Sequence, residues 1–130
     1  MATSPHTRLP QILRDTVVSL VRREGPDLTA RQLAVMLICY LEDGPQTVRG
    51  LAARLNVAKP AITRALDRLE QFELAHRRQD PRDRRSIVVA RTPEGHAFLE
   101  SLQGMLDEAA KQSHPTRAQA VKSDAELRVG

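Results

Sequence analysis

The stretch from Leu51 to Leu66, LAARLNVAKPAITRAL, constrains the fold more than any other part of the chain. Leu51, Ala52, Leu55, Val57, Ile62 and Leu66 are apolar at the spacing of two short helices meeting across a tight corner. Ala52 is small enough to let the helices approach. Asn56, four residues on, tolerates the left-handed conformation that such a corner needs. Val57 plugs the corner, and Ile62 and Leu66 seat the second helix. Residue size, turn chemistry and period agree, and together they specify a helix–turn–helix.

The flanking sequence supplies the rest of one domain. Leu9, Ile12, Leu13, Val17, Leu20 and Val21 recur in steps of three and four, predicting a helix from Leu9 to about Glu24 that stops at Gly25-Pro26. Thr29 and Gln32 form a capping-box pattern for a second helix reaching about Glu42. Its second half, VMLICYL, is apolar all round and must be covered on several sides. Thr47 caps a short helix, Val48 to Leu55. The next runs from Lys59 to Phe72, and its start is weak because Ala58 stands where a capping Ser or Thr is preferred. Leu74–Gln79 and Ser86–Ala90 read as two strands around a polar tip, Asp80-Pro81-Arg82-Asp83-Arg84-Arg85. Thr92-Pro93-Glu94 opens a fifth helix that breaks at Ser113-His114-Pro115. The fold class is mostly α with a small β-hairpin, an α+β arrangement. Residues 1–7 read as a frayed N-terminus, 8–112 as a single domain, and 113–130 as a weak helix or disordered tail.

Charge narrows the function. Lys plus Arg is 20 against 16 for Asp plus Glu, a net charge of +4 that suits a polyanionic partner. Arg77, Arg78, Arg82, Arg84, Arg85 and Arg91 stand in the hairpin against Asp80 and Asp83, so the hairpin's excess equals that of the whole chain. In the helix from Lys59, turning about 100° per residue, Ile62, Leu66 and Leu69 form the inner face. Pro60, Arg64, Asp67 and Gln71 fall opposite, with Ala61, Thr63 and Arg68 on the flanks. An arginine there can bond guanine bidentately, and a threonine can meet a base edge or a thymine methyl. Arginine at a hairpin tip suits the negative potential of a narrow minor groove. Asp83 pairs with Arg85 in this reading and holds its guanidinium in one orientation. The bland alternatives are a solvated helix face and a hydrophilic turn that keeps a sheet edge soluble.

From about Leu51 to Gly95 the chain resembles the multiple-antibiotic-resistance regulator (MarR) family of winged helix–turn–helix transcription factors. AITRALDRLE, DPRDRR and the TPEG that opens a long helix carry the resemblance, and the helix order extends it over residues 8–112. It implies a homodimer held by segments 8–28 and 92–112, with 29–91 as a winged lobe that binds a pseudo-palindromic double-stranded DNA operator, most often as a repressor. In that frame Lys59, Pro60, Ala61, Thr63, Arg64 and Arg68 enter the major groove, with Thr63 and Arg64 specifying bases. Arg77, Arg82, Asp83, Arg84 and Arg85 form the wing contact, Arg85 being the minor-groove residue and Asp83 its orienting partner. Lys59, Arg68, Arg77 and Arg84 mainly contact phosphates, as do Thr47 and Arg49, and His76 adds to them. The sequence departs from the family at Glu73, where many members have Gly, at Arg91, where Leu closes the second wing strand, and in its short polar C-terminal region. Gly104 inside the fifth helix costs about 1 kcal/mol against Ala.

Other chemistries find little support. Cys39 lies in the apolar half of the second helix and reads as an inert core thiol rather than a peroxide sensor. One cysteine excludes an internal disulfide and fits a reducing compartment. His6, His76, His96 and His114 are scattered and predict no metal site; no cofactor is implied. No nucleophile–base grouping or phosphate-cradling glycine loop is evident, so the chain does not read as an enzyme. Low aromatic content (2%) argues against stacking on single-stranded nucleic acid. The longest apolar run, Leu33 to Leu41, is too short to cross a bilayer, and MATSPHTRLPQ has no signal pattern, so a cytoplasmic protein is expected. Many family members bind a small phenolic or lipophilic effector. Leu13, Val17, Met36, Cys39, Tyr40 and Leu66 would line such a pocket here, unless they simply fill the core. The rival class is a winged-helix protein–protein interaction module without sequence-specific DNA binding.

Overall fold

The computed structural model describes residues 8–112. The expectations for residues 1–7 and 113–130 lie outside the described residues. The elements follow in the order α1 (Leu9–Arg22), α2 (Ala30–Leu41), β1 (Gln46–Thr47), α3 (Val48–Leu55), α4 (Lys59–Gln71), β2 (Ala75–Asp80), β3 (Asp83–Arg91) and α5 (Pro93–Gln112). The chain divides into two compact units. One is Gly25–Glu100; the other joins α1 to the part of α5 after Glu100. Among the described residues no helix is long and apolar enough to cross a membrane.

The Gly25–Glu100 unit contains the helix–turn–helix, and the sequence logic holds there residue by residue. Thr29 accepts the Gln32 N–H while the Gln32 side chain accepts the Thr29 N–H, closing the capping box of α2. Thr47 caps α3 by accepting the Gly50 N–H at 2.9 Å. Asn56 takes φ 55°, ψ 47°, and the Val57 N–H reaches back to the Ala52 carbonyl at 3.0 Å. The corner is thus a left-handed cap with its carbonyl satisfied. Leu51, Ile62, Leu66 and Leu69 are wholly buried, each contributing about 1.5–3 kcal/mol by leaving water.

α4 begins without a side-chain cap at Ala58 and carries Pro60 in its first turn. It ends in a left-handed turn. Glu73 takes φ 60°, while the Glu73 and Leu74 N–H groups donate to the Glu70 and Leu69 carbonyls, both at 2.9 Å. The turn that glycine usually makes is made here by glutamate, at a conformational cost of about 1–2 kcal/mol.

β2 and β3 form the hairpin, with Arg77 opposite Val89 and Asp80 opposite Asp83. Only Pro81 and Arg82 lie between the strands, so the tip is tighter than the sequence predicts and β3 begins three residues earlier. β1 pairs with the far edge of β3, Gln46 opposite Val89 and Thr47 opposite Val88, giving the sheet order β1-β3-β2. Two residues carry too little periodicity to announce a strand, so β1 is invisible in the sequence.

In the other unit, Leu9, Leu13, Val17 and Val21 recur every fourth residue along α1 and are 54, 63, 45 and 63% exposed. They form one apolar stripe. Its buried residue, Thr16, donates its hydroxyl proton to the Ile12 carbonyl at 2.7 Å. Arg23 reaches Ser101 on α5 at 3.3 Å.

Candidate nucleic-acid interface

The start of α3, the start of α4 and the outer part of β3 enclose an open groove of about 550 Å³. Thr47, Arg49, Lys59, Asp83 and Arg85 line it, together with Gly50, Ala53, Ser86 and Ile87, which sequence reasoning did not single out. Register explains the convergence. β1 sets the cap of α3 against β3, and side chains alternate along β3, so Arg85 and Ile87 share the face of buried Val89. Three cations therefore stand around a groove whose acid, Asp83, is already engaged. The Asp83 carboxylate accepts the backbone N–H of Arg85 at 3.0 Å. This corrects the sequence reading: Asp83 fixes the backbone at Arg85, and among the described residues no ion pair joins it to the Arg85 guanidinium. Asp80 does the same for the backbone N–H of Arg82, at 2.9 Å. Both acids act locally, as short carboxylates do in turns.

The exposed face of α4 is more selective than its composition suggests. Arg64 is exposed and makes no ion pair among the described residues. Thr63 is half-buried and donates its hydroxyl proton to the Lys59 carbonyl at 3.3 Å, one turn back along α4. Pro60 is exposed and Ala61 is buried. Arg68 lies 4.5 Å over the Phe72 ring and donates to Gln71 at 2.9 Å, which holds it toward the helix end.

The hairpin arginines divide into two sets. Arg77 lies on the β2 face turned to α4 and bonds Glu70 and Asp67. Arg91 donates to the Cys39 carbonyl at 2.8 Å and the Glu42 carbonyl at 2.9 Å, closing the C-terminus of α2. Arg78, Arg82, Arg84 and Arg85 keep guanidinium groups free of ion pairs among the described residues. Sequence composition counts all six alike. Strand alternation, which sends Arg77 inward and Arg78 outward, is the signal that separates them.

Residues 28–87 match the model of the MarR family. The chain is 31% identical over 71 residues to an uncharacterised helix–turn–helix transcriptional regulator of Bacillus subtilis, YkoM; the match covers 55% of this chain and 46% of that relative. The chain therefore spans about half the length of the curated relative it matches. The crystal structure of the transcriptional regulator Tm0710 from Thermotoga maritima superposes with a TM-score of 0.68 at 26% identity, over 97% of this chain and 91% of that one. The winged lobe matches the MarR family over residues 28–87. The Staphylococcus aureus MepR–DNA complex has the same fold, with a TM-score of 0.64 at 21% identity over 94% of each chain.

The same lobe also accounts for the remaining sequence candidates. Met36, Cys39, Tyr40 and Leu66 are buried within it, whereas Leu13 and Val17 lie exposed on α1. Burial pushes the Cys39 thiol up to about 11, partly offset by the positive charge of Arg91 and reinforced by Glu42. The charge at Arg91, where MarR-family members commonly carry Leu, is absorbed by two carbonyls and by the Tyr40 ring 5.7 Å away. His76 is exposed on the β2 face opposite Arg77.

Proposed function

We propose that this chain is a homodimeric, sequence-specific double-stranded DNA-binding regulator of transcription that acts as a repressor in the cytoplasm. The carrying observation is the set of cations that have no ion-pair partner among the described residues and that span two elements: Arg64 on α4, and Arg78, Arg82, Arg84 and Arg85 on the hairpin, next to the groove of Arg49 and Lys59. A helix presenting an arginine beside a basic hairpin matches the geometry of major-groove reading with minor-groove clamping.

In this reading Arg64 bonds a guanine edge, and Pro60 and the Thr63 methyl make apolar contact with bases. Arg82 and Arg85 enter the flanking minor groove. Arg49, Lys59, Thr47 and Arg84 neutralise or bond phosphates. The apolar stripe of Leu9, Leu13, Val17 and Val21 is covered by a second copy of the chain, which doubles the half-site and makes the operator pseudo-palindromic. The protein-interaction alternative lacks a large apolar anchor in the wing: from 75 to 86 the apolar side chains are Ala75, which is buried, and the small Pro81 at the tip.

The test is binding to the duplex upstream of the chain's own gene, titrated in salt beside a scrambled duplex. Preferential binding that falls steeply with salt, with two chains per site, supports the reading. Absence of binding at low salt overturns it in favour of the interaction module. A reporter behind the bound site then tests the repressor assignment by its rise when the gene is deleted.

A further inference from the structure

The geometry points to Arg77 as a positioning residue that fixes the wing against the recognition helix α4, not as a DNA contact. The inference rests on the DNA-binding reading above and specifies how its two reading elements keep one spacing. Glu70 and Asp67 stand one turn apart on α4 and converge on one guanidinium. Arg77 Nε donates to Glu70 Oε1 at 3.0 Å, its Nη2 to Glu70 Oε2 at 3.1 Å and to Asp67 Oδ1 at 2.5 Å. Glu70 Oε1 also accepts the backbone N–H of Arg77 at 2.7 Å. One carboxylate thus holds both the side chain and the main chain of β2. The side chains of Arg77 and Glu70 are 27 and 29% exposed, so the pair is partly shielded from water.

Three physical points separate this arrangement from an ordinary surface ion pair. The guanidinium meets Glu70 as a two-pronged fork, a geometry that lysine cannot reproduce. The backbone hydrogen bond fixes the start of the hairpin relative to α4, whatever the tip does. The bonds also engage three of the five guanidinium donors, one on Nε and two on Nη2, and turn that edge of Arg77 toward α4. Hydrogen bonding to Arg77 lowers the Glu70 carboxyl below its usual range, which extends the charged clamp toward acid pH. The neighbouring Arg78 points to the other face, and it carries the charge that Arg77 withholds from the interface.

Charge arithmetic makes the inference testable by sign. Removing a carboxylate beside a polyanion strengthens binding if the residue acts only through its field. Removing Glu70 weakens binding if Glu70 anchors the wing. The experiment measures the affinity of the full chain for its operator with the native flanks, and for the same half-sites with flanks changed from A·T-rich to G·C-rich. Glu70→Ala and Arg77→Lys are each expected to weaken operator binding roughly tenfold. Both are expected to lose flank discrimination while keeping discrimination within the half-site, a selective loss that a general fall in stability does not produce. Equal or tighter binding by Glu70→Ala, or unchanged binding by Arg77→Lys, overturns the inference.

Hydrogen exchange on the free proteins decides the clamp independently of DNA. Faster exchange at the Arg77 amide and along β2 in Glu70→Ala supports it, and unchanged exchange overturns it. If the wild-type chain shows no preference for any duplex, the DNA reading fails while the exchange result still judges the clamp.

Discussion

The hydroxyl of Tyr40 and the backbone of Gly95 share one small space, and a β-carbon on residue 95 would overlap the Tyr40 Oη. That hydroxyl donates to the Leu74 carbonyl at 2.6 Å and accepts the Thr92 N–H at 3.0 Å, so it ties α2 to the turn after α4 and to the start of α5. Gly95→Ala is expected to destabilise by about 1–3 kcal/mol through overpacking. Tyr40→Phe should cost a similar amount, about 1–3 kcal/mol, because two buried backbone groups lose their partner. In the Tyr40→Phe background the Gly95→Ala change should cost only partly less, since the Oη overlap is gone while the ring Cζ and the Leu74 carbonyl oxygen, the latter at 2.5 Å, still crowd the added carbon. Urea unfolding midpoints of the two single variants and the double variant check this coupling.

Arg64 and Arg84 should fail differently. Arg64→Ala is expected to relax preference at one base-pair position, at a cost of about 1–3 kcal/mol on the favoured duplex. Arg84→Ala should weaken all duplexes alike and lower the salt slope by about 1. A panel of duplexes substituted one position at a time, titrated at several salt concentrations, distinguishes the two.

Cys39 should resist alkylation at neutral pH. Burial raises its thiol to about 11, so the reactive thiolate is scarce in the folded chain. Arg91→Leu removes the one charge that favours that thiolate and also frees the carbonyls of Cys39 and Glu42. The variant should therefore lose stability, by about 1–2 kcal/mol, while its thiol becomes still less acidic. Iodoacetamide labelling rates from pH 7 to 10, folded and in urea, report both effects.

The Glu70 clamp predicts a pH dependence of definite sign. Hydrogen bonding to Arg77 lowers the Glu70 carboxyl below its usual range, against the opposing effect of burial. A depressed folded value means that the contribution is fully present above the unfolded value, about 4.3, and is lost as pH falls through the folded value. The stability gap between wild type and Glu70→Gln should be constant from about pH 7 to 5 and close as pH falls further. A gap that widens on acidification would contradict the direction of the shift.

What could be read in the sequence follows physical locality. The caps at Thr29 and Thr47, the left-handed Asn56 and the buried face of Ile62, Leu66 and Leu69 all rest on interactions within a few residues. They were legible because local spacing encodes them. The pairing of β1 with β3 joins residues more than forty apart, and nothing in Gln46-Thr47 anticipates it. The same holds for the side-chain partners of the arginines. Composition shows six of them in the hairpin, but only the fold reveals that Arg91 serves α2 and that Arg77 serves α4. Asp83 shows a subtler gap: its place at the wing was readable, whereas its choice of the backbone over the guanidinium depends on a turn one residue pair wide.

Thr47 is at once the last residue of β1 and the cap of α3. Its backbone is registered to Val88, and its hydroxyl accepts the Gly50 N–H. The hairpin is thus not a detachable appendage. Transplanting residues 75–91 onto a relative would leave the third strand behind and break the register that sets α3, so the smallest exchangeable cassette starts at Gln46. Changes of operator preference obtained by trading wings alone should therefore come with a misplaced helix.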